Sequence, residues 1–171
     1  MRIALDTHSW LWWLIPDARM STRERQALDV LAAEKKLCLP AICIWEAQML
    51  SSRGRIELPL PFAAWLRQAT APEMLTVLPL NADVAIALDD LPKSFHGDPA
   101  DRMIVATARA NGLPLATHDK AIRKSRLVKI WTPPDSPSTY VKTGTRKSTH
   151  RRRSTGLQSL PANQNRRRVL S

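Results

Sequence analysis

Asp6, Glu46, Asp101 and Asp119 each follow or interrupt an apolar segment, and they are scattered over the first 119 residues rather than gathered on one polar face. A carboxylate among apolar side chains is costly unless something neutralises it. Carboxylates that converge also repel one another, and a divalent cation relieves that repulsion. The chemistry this set suggests is magnesium- or manganese-dependent hydrolysis of phosphate esters.

Asp6 ends an apolar run, Ile3-Ala4-Leu5, and Asp119 lies just past Leu113-Pro114-Leu115-Ala116-Thr117-His118. Open α/β sheets bind ligands beyond the carboxyl ends of their strands, so chain logic puts both acids on one edge. Either could instead cap the helix that follows. Glu46 shares a helical face with Ile42, Met49 and Leu50, which are its neighbours at i−4, i+3 and i+4. The alternative is a surface glutamate at the edge of that stripe. Asp101 has Ile104 and Val105 at i+3 and i+4. The order Asp98-Pro99-Ala100-Asp101 reads as an N-cap, a proline at N1 and an acid at N3. Asp98 is thus a structural cap that can also touch a metal-bound water, and Asp101 is either a ligand or only the partner of that cap.

The elements that must carry these residues alternate. Strands are expected over 2–6, 36–39, 75–80, 113–116 and 127–131. Helices are expected over 8–14, 22–34, 41–52, 81–90, 99–111 and 119–124, with one more opened by Pro61 at its first position. Ser21 and Glu24 have the spacing of a capping box. Asn111-Gly112 is a helix stop, and 93–97 reads as a loop. Such alternation indicates an α/β fold, a mainly parallel central sheet flanked by helices on both faces.

The chain has 171 residues, 44% of them hydrophobic, enough for one domain with a sizeable core. Its net charge of +11 is uneven: residues 133–171 hold nine Lys and Arg against Asp135, so that stretch carries +8 and residues 1–132 only +3. The expected organisation is a folded domain over 1–132 and a basic, disordered tail over 133–171, rich in Pro, Ser, Thr and Arg. The tail reads either as an RNA- or anion-binding segment or as solvated chain with no dedicated role. Cys38 and Cys43 are too few for a disulfide scaffold and read as reduced core residues of a cytoplasmic protein. The apolar run from Trp10 to Ile15 is too short to span a bilayer, and no signal peptide is visible.

Several chemistries are excluded by pattern. Neither GxGxxG nor GxxxxGK[ST] occurs, nor does GxSxG. His8, His96, His118 and His150 form no zinc-binding pair. A phosphatase of the haloacid-dehalogenase type needs a second Asp two residues after the first, where this chain has His8.

Four segments in order carry a resemblance: Ile3-Ala4-Leu5-Asp6-Thr7-His8, Trp45-Glu46, Gly97-Asp98-Pro99-Ala100-Asp101-Arg102-Met103-Ile104-Val105-Ala106-Thr107-Ala108, and Leu115-Ala116-Thr117-His118-Asp119. Together they resemble the PIN-domain family, and within it the VapC-type toxins of bacterial type II toxin–antitoxin systems. The resemblance covers about residues 1–131. It implies a PIN fold and a Mg²⁺-dependent endoribonuclease, with Mn²⁺ as a substitute. It places Asp6, Glu46, Asp101 and Asp119 in the family's acidic quartet and matches Asp98 to the first acid of its Asp-Pro-x-Asp-Arg segment. Two departures stand out. His118 takes a position where the family often has a small residue, and family members usually end soon after the last strand, so nothing is carried over to the tail.

Around the quartet, Thr7 and Thr117 could orient water or phosphate, or serve as core and capping hydroxyls. Arg102 could contact RNA phosphate or form a surface ion pair. The resemblance implies an RNA substrate and a cognate antitoxin. Trp10, Trp12 and Trp13 cannot all face one core, so an interface is expected, either a homodimer or an antitoxin groove. The rival from another class is a non-catalytic RNA- or partner-binding module on the same fold, which would show no site-dependent uptake of Mg²⁺ or Mn²⁺.

Overall fold

The computed structural model describes residues 1–95 and 97–135. The tail expected over 133–171 lies outside the described residues from 136 onward.

Short, mainly apolar segments make the sheet. Strands β1 (Ile3–Leu5), β2 (Leu37–Pro40), β3 (Thr76–Leu78) and β4 (Leu115–Ala116) lie in the order β3-β2-β1-β4, and every pairing is parallel. All three residues of β1 are completely buried. That is what a central strand covered on both faces requires, and it explains the absence of polar alternation. Ala4 and Leu5 of β1 align with Leu115 and Ala116 of β4. The chain builds β1, β2 and β3 outward in one direction, then returns to place β4 on the other side of β1. The switch point therefore lies between β1 and β4, where such sheets leave a crevice at their carboxyl ends.

The helices are α1 (Thr7–Leu14), α2 (Thr22–Ala33), α3 (Ala41–Ser52), α4 (Phe62–Ala69), α5 (Ala82–Asp89), α6 (Pro99–Ala110) and α7 (Lys120–Ser125). Their starts follow from side chains that accept the first unpaired backbone N–H groups: Asp6, Ser21, Asn81, Asp98 and Asp119 all cap in this way. Gly54 and Gly112 take the left-handed conformation just past α3 and α6, at φ +63° and +61°. Trp10, Leu28, Ile104, Val105 and Ile122 join the strands in one core. Cys38 and Cys43 are buried free thiols, and burial pushes the Cys43 thiol well above its usual range.

Three expectations are corrected. The strand over 127–131 is a single parallel bridge, Leu115 to Ile130, because β4 offers only two residues for it to pair with. Pro61 is the N-cap of α4, not its first residue, since its ψ of 140° is extended. Ser21 accepts the Glu24 N–H at 3.2 Å, but Glu24 does not complete a capping box; its carboxylate turns to His118 instead, 2.9 Å away. At the far end of the described chain, Arg23 of α2 holds the Pro133 carbonyl at 3.2 Å and Asp135 at 2.8 Å. Among the described residues no helix is long and apolar enough to cross a membrane.

Candidate active site

Asp6 sits where β1 gives way to α1. Its main-chain N–H donates to Ala116 O at 3.0 Å, bonding it to the neighbouring strand. Its Oδ1 accepts the Ser9 N–H at 2.6 Å, and the residue is only 4% exposed. A carboxylate can be buried here because a helix N-terminus offers it backbone donors and the positive end of the dipole.

Thr7, the next residue, links α1 to α3: its hydroxyl donates a short hydrogen bond to Oε2 of Glu46. Glu46 lies in mid-helix, beside the buried Cys43 and Ala47, and is itself half-buried. Burial raises its carboxyl above the usual range. The Thr7 hydrogen bond and the nearby His8 pull it down, while the negative charges of Asp98 and Asp6 push it up. Asp98, His8 and Asp6 are therefore all near enough for the Glu46 carboxyl to respond to them.

Asp98 is exposed and caps α6, with Oδ1 accepting from Ala100 N–H at 2.8 Å and Asp101 N–H at 3.3 Å. Asp101 stands half-buried in the first turn of that helix. Asp119 caps α7, with Oδ1 accepting from Ile122 N–H at 2.7 Å, and its own N–H donates to Thr117 Oγ1 at 3.0 Å. The choice between cap and ligand is thus not a choice. Asp6, Asp98 and Asp119 are all caps, and a cap occupies one carboxylate oxygen of two.

Chain placement brings Asp6 and Asp119 to the ends of adjacent strands, flanking the switch-point crevice. Thr7 couples Glu46 to Asp6, and the charge of Asp98 acts on Glu46. The gathering is not tight: among the described residues no three His, Cys, Asp or Glu side chains stand close enough together to hold a metal ion. Nor do Asp6, Glu46 or Asp119 pair with any Lys or Arg among the described residues. The donor set is all oxygen and its charges repel, which suits a hard divalent cation and would repel a bare phosphodiester.

Two of the surrounding residues have structural work. Thr117 is buried and serves the Asp119 turn. Arg102 donates to the carbonyls of Phe95 (2.9 Å), Pro92 (3.2 Å) and Leu91 (3.4 Å), with its guanidinium over the Phe95 ring. It fastens the 91–95 segment to α6. Sequence reasoning did not group four side chains beside the crevice: His8, Arg19 and His118 each meet the ring of Trp12. The i, i+4 spacing of His8 and Trp12 was the available signal.

Comparison with known proteins gives concordant results. The PIN domain family model matches residues 3–126. Ribonuclease VapC22 of Mycobacterium tuberculosis (strain ATCC 25618 / H37Rv) is 36% identical over 132 residues, 75% of this chain and 98% of that protein. Among solved structures, the DNA-bound VapBC of Salmonella typhimurium is similar with a TM-score of 0.60 at 18% identity, covering 77% of this chain and 97% of that one. VapBC2 of Rickettsia felis, bound to a DNA fragment from its promoter, is similar with a TM-score of 0.58 at 14% identity, covering 77% and 98%. At those identities the two structures speak to the fold.

Proposed function

The chain belongs to the PIN-domain family, and on that premise we propose that it is a Mg²⁺-dependent endoribonuclease, the VapC-type toxin of a toxin–antitoxin pair. The observation that carries this reading is the state of Glu46. It is a half-buried acid whose carboxyl is raised first by burial and further by the charges of Asp98 and Asp6, with no Lys or Arg paired to it among the described residues. An ionised acid held there costs the fold stability, and a divalent cation would relieve that cost.

Asp6 and Asp101 would hold the cation directly or through water, Glu46 and Asp119 would complete the negative pocket, and Asp98 would stand by as a further oxygen donor. When bound, the ion supplies charge relief to the phosphoryl oxygens, and Mn²⁺ can substitute. Glu46 accepts the proton of the attacking water, since its raised carboxyl lies nearer to neutral pH than an ordinary glutamate. Thr7 fixes Oε2 of that carboxylate, so the other oxygen is the one left for chemistry.

The family relationship also supports an antitoxin partner and work in the cytoplasm. An inhibitor that brings an arginine to these carboxylates would neutralise them with charge-assisted hydrogen bonds. Trp45, 51% exposed and adjacent to Glu46 on α3, supports an interface on that face, with an antitoxin or a second copy of the chain. Light scattering of the chain without antitoxin separates these: a monomer removes the homodimer.

The purified chain should cut RNA in Mg²⁺ and stop in EDTA. Asp6→Asn and Asp101→Asn should each abolish cleavage with the circular dichroism spectrum unchanged. Full cleavage by Asp6→Asn overturns the assignment. The dispersed acids favour one rival, a non-catalytic binding module on the same fold. A calorimetric Mg²⁺ or Mn²⁺ titration decides between them: binding that Asp6→Asn removes supports the nuclease, and no binding supports the module.

A further inference from the structure

We propose that His8, Trp12, Arg19 and His118 form a rim that binds the base of a single-stranded RNA nucleotide flanking the phosphate to be cut. This rests on the nuclease reading and assigns that site its substrate-positioning surface.

The rim is built around one indole. His8 and Trp12 share a face of α1, with ring centroids 5.5 Å apart and planes inclined by 49°. His118, from the segment past β4, meets the same indole edge-on at 5.2 Å and 61°. The Arg19 guanidinium covers the indole, 4.4 Å from the ring centroid. Two carboxylates hold the assembly, the buried Glu24 and the half-buried Asp17. Glu24 bonds His118 Nε2 at 2.9 Å, and Asp17 takes Arg19 through Nε at 2.9 Å and Nη2 at 2.6 Å. Yet His8, Arg19 and His118 are exposed and Trp12 is half-buried. A cluster that served packing alone would bury its rings; this one orders planar groups and leaves them open to water.

Its position is set by the crevice. His8 follows Thr7, whose hydroxyl holds Glu46. His118 stands between Thr117 and Asp119, which are bonded to each other. The two histidines leave the ends of adjacent parallel strands, the same ends that carry Asp6 and Asp119. A phosphodiester lodged at the acids must therefore carry a neighbouring base to these rings.

The chemistry selects a base rather than a phosphate. Asp17 already occupies the Arg19 charge, so what Arg19 offers is a flat cationic face. Aromatic and guanidinium planes take unpaired bases by stacking, with little regard to which base it is. Duplex RNA hides those faces.

The test uses the full chain, Mg²⁺ and short single-stranded RNAs in which one abasic nucleotide is walked through the cut site. At a position beside the scissile bond the abasic substitution should raise KM about tenfold with kcat nearly unchanged. In Trp12→Leu that sensitivity should vanish, because intact RNA then behaves like the abasic one. His8→Ala, an exposed change that leaves the core alone, should reduce it in the same way and covers the case in which Trp12→Leu folds poorly. Cleavage by the wild-type chain with no abasic sensitivity at any position overturns the rim and leaves the nuclease standing, as does full sensitivity retained in His8→Ala. Failure of the chain to cut any of these RNAs in Mg²⁺ overturns the nuclease reading, and the rim with it.

Discussion

Asp6 and Glu46 are linked through Thr7 but are accommodated in opposite ways. Asp6 is the more deeply buried of the two, yet it lies at a helix N-terminus, tied to the Ser9 N–H. Backbone donors and the helix dipole do for it what solvent would do. Glu46 has no helix end to lean on. It stands in the middle of α3 with one hydroxyl as partner, and burial and the charges of Asp6 and Asp98 raise its carboxyl. The difference teaches that two acids side by side bear on stability through different means, one through the hydrogen bond of a cap and the other through a carboxyl that burial raises. The caps hold the fold together; Glu46 works against it.

The largest effect should come from Glu46→Gln. Losing the proton acceptor should reduce RNA cleavage by about 100-fold or more. Stability should move the other way. An acid whose folded pKa is raised destabilises the fold when ionised. The penalty is absent below the ordinary value of 4.5, grows as pH rises through the window above it, and is complete above the folded value. Glu46→Gln should therefore melt higher than the wild type at pH 7, and the two should converge below pH 4.5. A lower Tm for Glu46→Gln at pH 7 would break the comparison, since it would make Glu46 a stabilising residue like the caps.

Asp6 separates the two functions of one carboxylate. Asparagine caps as well as aspartate, so Asp6→Asn should keep the Tm and lose cleavage. Asp6→Ala removes the cap too and should cost about 1 kcal/mol, roughly 3 °C in Tm. Thermal melts of the pair measure this directly. Equal Tm values would mean that the 2.6 Å bond to Ser9 N–H contributes nothing.

Thr7→Val sharpens the same contrast with a smaller effect. It deletes the one hydrogen bond that lowers the Glu46 carboxyl and leaves the acid in place. The acid limb of the pH–rate profile should then move to higher pH, with activity retained above it. An unmoved limb would show that Glu46 is not the group titrating in that limb.

The caps and the sheet were legible because their signals are local. Asp98-Pro99-Ala100-Asp101 announces a helix start, and Asp6 and Asp119 each close an apolar run; the structure places all of these at helix N-termini. The pattern of Ile42, Met49 and Leu50 around Glu46 pointed to a half-buried acid, and it is one. What the sequence could not disclose depends on contacts between distant segments. Glu24 reads locally as half of a capping box, but a histidine 94 residues away takes its carboxylate. Arg102 reads as a surface cation, but the carbonyls of the 91–95 segment converge on it. The rim is only half legible for the same reason: the i, i+4 spacing pairs His8 with Trp12, but nothing local brings His118 to the same indole.

The smallest effect belongs to Asp17, which handles its charge in a third way. It is half-buried at the surface, and its hydrogen bonds with Arg19 lower its carboxyl to about 2. Whatever stability the pair adds is present above pH 3.8 and is lost as pH falls toward about 2. Water competes for both partners and salt screens them, so Asp17→Asn should leave the Tm at pH 7 nearly where it was. Its consequence should appear elsewhere. Without the carboxylate clasp, Arg19 is no longer held over Trp12, and sensitivity to an abasic nucleotide should weaken. A Tm loss as large as that of Asp6→Ala would place Asp17 among the structural acids. An undiminished abasic sensitivity would show that the clasp does not order the rim, and that Trp12 and the histidines hold their arrangement without it.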